Sequence, residues 1–108
     1  MNPAIPADYE EGARWLRNFA TSHAKREDSR AQAHLEREEA REGRSYGLRL
    51  VLGPTAHPPR GEPPLELGYA EVVEGRTHLA WCHALAERIR ASIRQLAGRL
   101  PAGAHRSA

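Results

Sequence analysis

Three residues within six positions carry the densest ligand chemistry of the chain: His78, Cys82 and His83. His78 and Cys82 are four apart, so on a helix they share a face and could meet at one Zn²⁺ ion. His83 is rotated by about 100° from Cys82 on a regular helix and points elsewhere. A structural zinc site takes four ligands, and no second Cys/His pair stands at ligand spacing; only His57 could help. Cys82 therefore reads as a small buried apolar residue, as free cysteines usually are. No metal and no other cofactor is expected. Cys82 also lies past the first helical turn, where the dipole has faded, and no His-Asp/Asn set orients a base for it. Glu36, Glu38, Glu39 and Glu42 read as a solvated face rather than an acid–base pair. No Gly-rich phosphate loop, nucleophile elbow or HExxH motif occurs. The chain is expected not to be an enzyme.

Arginine offers the other chemistry. Fifteen Arg stand against the single Lys25. On a helix over the last quarter of the chain, Arg90 and Arg94 with His83 lie along one flank, and Arg88 and Arg99 with Trp81 along the other. Arg76 and Arg106 add charge at the two ends. An Arg fork suits phosphate or carboxylate, so these residues are candidates for a partner or nucleic-acid surface. The arginines straddle the apolar stripe, Glu87 interrupts one flank, and the helix dipole by itself favours basic residues near a C-terminus. The Pro-rich stretch with His57 and Arg60 is a second candidate, as a recognition loop, because long ordered loops often carry binding. It has no PxxP spacing.

Charge is unevenly distributed behind a net +2. Residues 8–43 carry a net −2, residues 44–74 a net −1 and residues 75–108 a net +5. A chain of 108 residues is expected to form one domain with a modest core, with 1–7 as an irregular lead-in and 101–108 as a flexible tail. No apolar run reaches the roughly 18 residues of a membrane span. The N-terminus has no signal-peptide pattern, and one cysteine excludes an internal disulfide. A cytoplasmic setting is expected, with no membrane partner.

The elements that would position these residues follow from periodicity. Asp8 reads as an N-cap with Glu11 completing a capping box, and Tyr9, Ala13, Leu16, Phe19 or Ala20, and His23 recur at helical spacing. From Ala24 to Gly43 the pattern thins, but Ala, Glu, Arg and Gln favour helix. One helix over Asp8–Glu42 is preferred to a break at Asp28-Ser29. Glu27 with Arg30 and Glu38 with Arg41 can then pair. Tyr46, Leu48, Leu50 and Leu52 alternate as the apolar face of a strand. Five prolines lie between Pro54 and Pro64; Leu65, Leu67 and Tyr69 then resume alternation, with Glu71-Val72-Val73 as an extension. Leu79, Cys82, Leu85, Ala86, Ile89, Ile93, Leu96 and Leu100 form the stripe of a helix from Thr77 to Leu100, stopped by Pro101.

The fold class is therefore α+β in α-β-β-α order. It has a long N-terminal helix, an antiparallel β-hairpin with a long Pro-rich loop, and a C-terminal amphipathic helix packed on the sheet. Open sheet edges make a homodimer natural. The expected function is a small non-enzymatic interaction or regulatory protein with a protein partner; an adaptor, or an inhibitor encoded by a phage or plasmid, fits. The alternative is a DNA- or RNA-binding accessory protein using the arginines of the last helix.

Overall fold

The computed structural model describes residues 6–36 and 39–100. Its elements are α1 (Tyr9–Glu27), β1 (Gln32–Leu35), a single 3₁₀ turn (Glu39–Arg41), β2 (Ser45–Leu52), β3 (Thr55–His57), β4 (Leu65–Gly68), α2 (Tyr69–Gly75) and α3 (Leu79–Arg99). The class is α+β, with three helices and a four-stranded antiparallel sheet. The tail from Pro101 and the first five residues of the lead-in lie outside the described residues, as does Glu38.

β2 is the strand around which the sheet is built. One of its edges pairs with β1 (Gln32 opposite Val51, Leu35 opposite Leu48). The other edge is shared: β3 takes its second half (Leu50 opposite His57) and β4 its first half (Ser45 opposite Gly68, Leu48 opposite Leu65). The expected antiparallel pairing around the Pro-rich stretch is present, but it is not a bare hairpin. Gly53 at φ 58 turns the chain straight back into β3, which leaves the loop running from β3 to β4. All four alternating residues, Tyr46, Leu48, Leu50 and Leu52, are buried against the helices with Leu16, Ile89, Ile93 and Leu96. α1 lies on β1 and β2, and α3 on β2 and β3. Trp15 meets Trp81 at 6.0 Å between ring centroids, and Glu27 meets Arg90 at 2.8 Å, so the two helices run side by side in the same direction.

Helix propensity misleads between Asp28 and Glu42. α1 stops at Glu27, and Asp28 is extended at φ −156. The Asp28 carboxylate accepts the Arg30 backbone N–H at 2.9 Å and the Arg30 guanidinium at 2.8–3.0 Å, a local turn that competes with helix. Neither the continuous helix nor a second helix from Ser29 forms. Ala33 and Leu35 instead face inward while Gln32 and His34 point out. Burying Ala31 and Ala33 completely, or nearly so, outweighs the small propensity differences of this stretch. The same competition reverses the reading of Glu71-Val72-Val73. These residues belong to α2 and not to a strand extension, because one helical turn buries Val72 in the core and returns the chain toward α3.

The expected cap and capping box of α1 are replaced by tertiary contacts, and the expected start of α3 by a local one. The Asp8 side chain makes no capping bond; its carboxylate accepts the Tyr69 hydroxyl. Glu11 accepts from Arg76 at 2.7 Å rather than closing a capping box. Thr77 donates back to the Glu74 carbonyl at 2.8 Å, and α3 begins at Leu79 behind His78. Leu79, placed in the apolar stripe by periodicity, is 86 % exposed. No helix among the described residues is long and apolar enough to cross a membrane.

Candidate functional site

The arginines of α3 do not share one surface. Arg90 and Arg94 both reach back to the Glu27 carboxylate on α1, at 2.8 and 3.0 Å. Glu27 is held below the ordinary carboxylate range, first by the Arg90 hydrogen bond. The pairing expected of Glu27 with Arg30 is replaced, Arg30 turning to Asp28; Arg41 pairs with Glu66, and its expected pairing with Glu38 lies outside the described residues. Arg76 is tied to Glu11. Trp81 packs over the end of α2, where a side chain at Gly75 would overlap its ring, and donates to Glu71 at 3.3 Å. His83 and Arg99 are exposed. Arg88 is brought beside the loop candidate His57, in a small recess of about 30 Å³ that also contains Leu65, Leu85 and Ser92.

His78 and Cys82 stay apart in role. His78 Nδ1 lies 2.8 Å from the Glu74 carbonyl, and the Cys82 thiol points to the Gly75 and Arg76 carbonyls at 3.6 Å. Among the described residues no group of three or more His, Cys, Asp or Glu side chains could hold a metal ion.

A larger concavity lies on the other side of the sheet. It is a cleft of about 670 Å³ bounded by Glu36, Arg41, Arg44, Ser45, Arg49, Glu62, Pro64 and Glu66. Such a volume is ordinary for a ligand site. Alternation along β2 puts Ser45, Gly47 and Arg49 on this face, and register adds His34 from β1 and Glu66 from β4. The Pro-rich loop folds over part of it.

Arg49 holds that loop. It is only 5 % exposed, and its Nε and both terminal nitrogens are all engaged. Nε and one terminal nitrogen donate to the two oxygens of Glu36, at 2.8 and 3.0 Å. The other terminal nitrogen donates to the Pro58 and Pro59 carbonyls at 2.6 and 2.9 Å, and a fifth bond reaches the Glu62 carbonyl at 2.7 Å. A planar fork with five donors is the side chain that can satisfy a carboxylate and three loop carbonyls together. The prolines remove backbone donors and stiffen the loop, and the guanidinium takes up the carbonyls left behind.

Glu36 lies below the ordinary carboxylate range, chiefly through the Arg49 hydrogen bond, with Arg60 and His34 assisting. Its charged form is thus stabilised by folding. That contribution is complete above the unfolded carboxyl value of about 4.3 and is lost as pH falls through the lower folded value. Acid should therefore loosen the loop first. Amide exchange of residues 60–62, followed by NMR downward from pH 5, is expected to accelerate before that of β2, and Glu36→Gln should abolish the pH dependence of this opening.

A second arginine lies flat on the sheet. A Cβ at Gly47 would overlap the Arg41 guanidinium and the Pro64 ring. A glycine inside a strand here permits close approach. Arg41 pairs with Glu66, and Ser45 Oγ donates to the other Glu66 oxygen at 2.8 Å. Arg44 pairs with Glu42 at the rim.

Of the residues singled out by sequence, the structure brings Arg60 toward this cleft through its charge on Glu36 and His57 toward Arg88. Arg41, Arg44, Arg49, Glu36 and Glu66 were missed. The available signal was Gly47: a glycine facing the same way as Arg49 in a strand otherwise rich in large residues. Comparison of the chain with protein-family models, with curated proteins and with solved structures finds no match.

Proposed function

We propose that the chain is a non-enzymatic interaction module that receives a segment of a protein partner in the cleft beneath the Pro-rich loop. The observation that carries this reading is the loop fastened by Arg49 beside a 670 Å³ polar cleft. An already ordered loop has less conformational freedom to lose on binding, which is what a recognition surface gains from rigidity. The cleft supports this role better than α3 supports nucleic-acid binding, because Arg90 and Arg94 are engaged with Glu27. An adaptor, an inhibitor or another small regulator would use the cleft in the same way, and a second copy of the chain is one form the partner could take.

Photo-crosslinking tests the assignment. A benzoylphenylalanine at position 62, on the exposed loop, should give one discrete adduct in native lysate, and the same group at exposed Asn18 on α1 should not. Equal labelling from both positions, or none from 62, would refute the cleft as the interaction surface.

A further inference from the structure

We infer that the group recognised in this cleft is a carboxylate of an acidic residue in a protein segment, received by Arg41 and Ser45 in exchange for Glu66, with Arg44 assisting at the rim. The inference rests on the cleft being the interaction surface and names the chemistry of what enters it.

The Arg41–Glu66 pair is unequal: the Arg41 side chain is 11 % exposed and that of Glu66 55 %. The cation is therefore desolvated and fixed, seated over Gly47 against Pro64, while the carboxylate stands in water. Two donors from separate side chains grip the two oxygens of that carboxylate, Arg41 on one and Ser45 on the other. The seat is thus demonstrated by its internal occupant: it accepts a carboxylate. Glu66 can return to water and an incoming carboxylate keeps the Arg41 charge compensated, so the exchange displaces Glu66 at small cost, and the arginine is already ordered for it. Arg44 (76 % exposed) holds Glu42 (47 % exposed) in an equally loose pair.

The balance of charge selects among acidic partners. Among the described residues that line the cleft, Arg41, Arg44 and Arg49 are matched by Glu36, Glu62 and Glu66. Glu36 is committed to Arg49. Once displaced, Glu66 joins Glu62 as negative charge beside the seat. Nucleic acid needs an excess of basic residues spread along its backbone, which this cleft does not offer. A protein segment in which an acidic residue neighbours a basic one fits both halves, acid on Arg41 and Ser45, base on Glu62 and Glu66.

NMR titration of the ¹⁵N-labelled full chain tests this with three probes: the blocked pentapeptide Gly-Ala-Glu-Ala-Gly, whose lack of a basic residue isolates the carboxylate exchange, its Gly-Ala-Gln-Ala-Gly counterpart, and inorganic phosphate. The Glu peptide should shift Arg41, Arg44 and Ser45 resonances, and the Gln peptide and phosphate should not. Glu66→Gln, a surface change that leaves the fold intact, should bind the Glu peptide about two- to fivefold more tightly, the worth of one exposed pair. Arg41→Gln should abolish the shifts. Equal affinity for wild type and Glu66→Gln would overturn the exchange, as would phosphate or the Gln peptide binding as well as the Glu peptide. If no peptide shifts the cleft while the position-62 adduct still forms, the carboxylate chemistry fails and the interaction surface stands.

Discussion

Arg49→Leu is expected to destabilise the protein by about 3 kcal/mol, at the lower end of the range for breaking a buried ion pair. The lower end applies because Glu36, with a third of its side chain exposed, can return to water. The three loop carbonyls lose their donor at the same time. Urea unfolding followed by circular dichroism measures the change. Two comparisons identify its origin. Arg49→Lys should recover little, because an ammonium cannot reach a carboxylate and three carbonyls from one point. Glu36→Gln should cost less, about 2 kcal/mol, the range for a hydrogen bond to a charged group, since the loop carbonyls keep their guanidinium. If Arg49→Lys restored full stability, charge alone would explain the site and the fork geometry would be irrelevant.

Tyr46→Ala is expected to cost about 3–5 kcal/mol, the range for emptying a large aromatic site in a core. Tyr46 is fully buried, stacks on Tyr9 at 4.5 Å between centroids, and donates its hydroxyl to the Tyr9 carbonyl at 2.8 Å. Burial, first of all, raises its pKa and keeps that hydroxyl protonated as a donor. Tyr46→Phe removes only the hydrogen bond and should cost about 1 kcal/mol. Gly12 supplies a further check. Gly→Ala inside a helix normally stabilises by about 0.5–1 kcal/mol, but a Cβ at Gly12 would stand 2.5 Å from the Tyr46 hydroxyl oxygen. Gly12→Ala should therefore destabilise the wild type and be much less harmful with Tyr46→Phe. Additive effects in that double-mutant cycle would show that the two residues do not touch.

Much of the helix side of the fold was legible because burial there follows simple periods. The alternation from Tyr46 to Leu52 identified β2 and its buried face, and the stripe from Leu85 to Leu96 identified α3. β1 was not legible: four residues with Ala33 and Leu35 inward carry too little signal against a helix-favouring composition. α2 was hidden by two consecutive valines, whose β-branched preference is overridden by the burial of Val72. The site was harder still. Nothing local shows that Glu27 meets side chains 63 and 67 residues away. An arginine on the polar face of a strand looks like solvated surface, and Arg49 became a buried anchor only because a loop with few backbone donors folds across it.

The two faces of β2 have separate consequences for how the chain can vary. On one side, Tyr46, Leu48, Leu50 and Leu52 are locked among three helices, and a change in any of them is felt by α1 and α3. On the other, the loop and the cleft meet the sheet through Arg49, Gly47 and their neighbours. Sites that share no contacts change stability nearly independently. As long as Arg49, Glu36 and Gly47 are kept, residues 60–62 and the rim can be rewritten with little effect on the helices. The sheet acts as a firewall: the lining of the cleft can drift, or be re-engineered, on one face while the other keeps the protein folded.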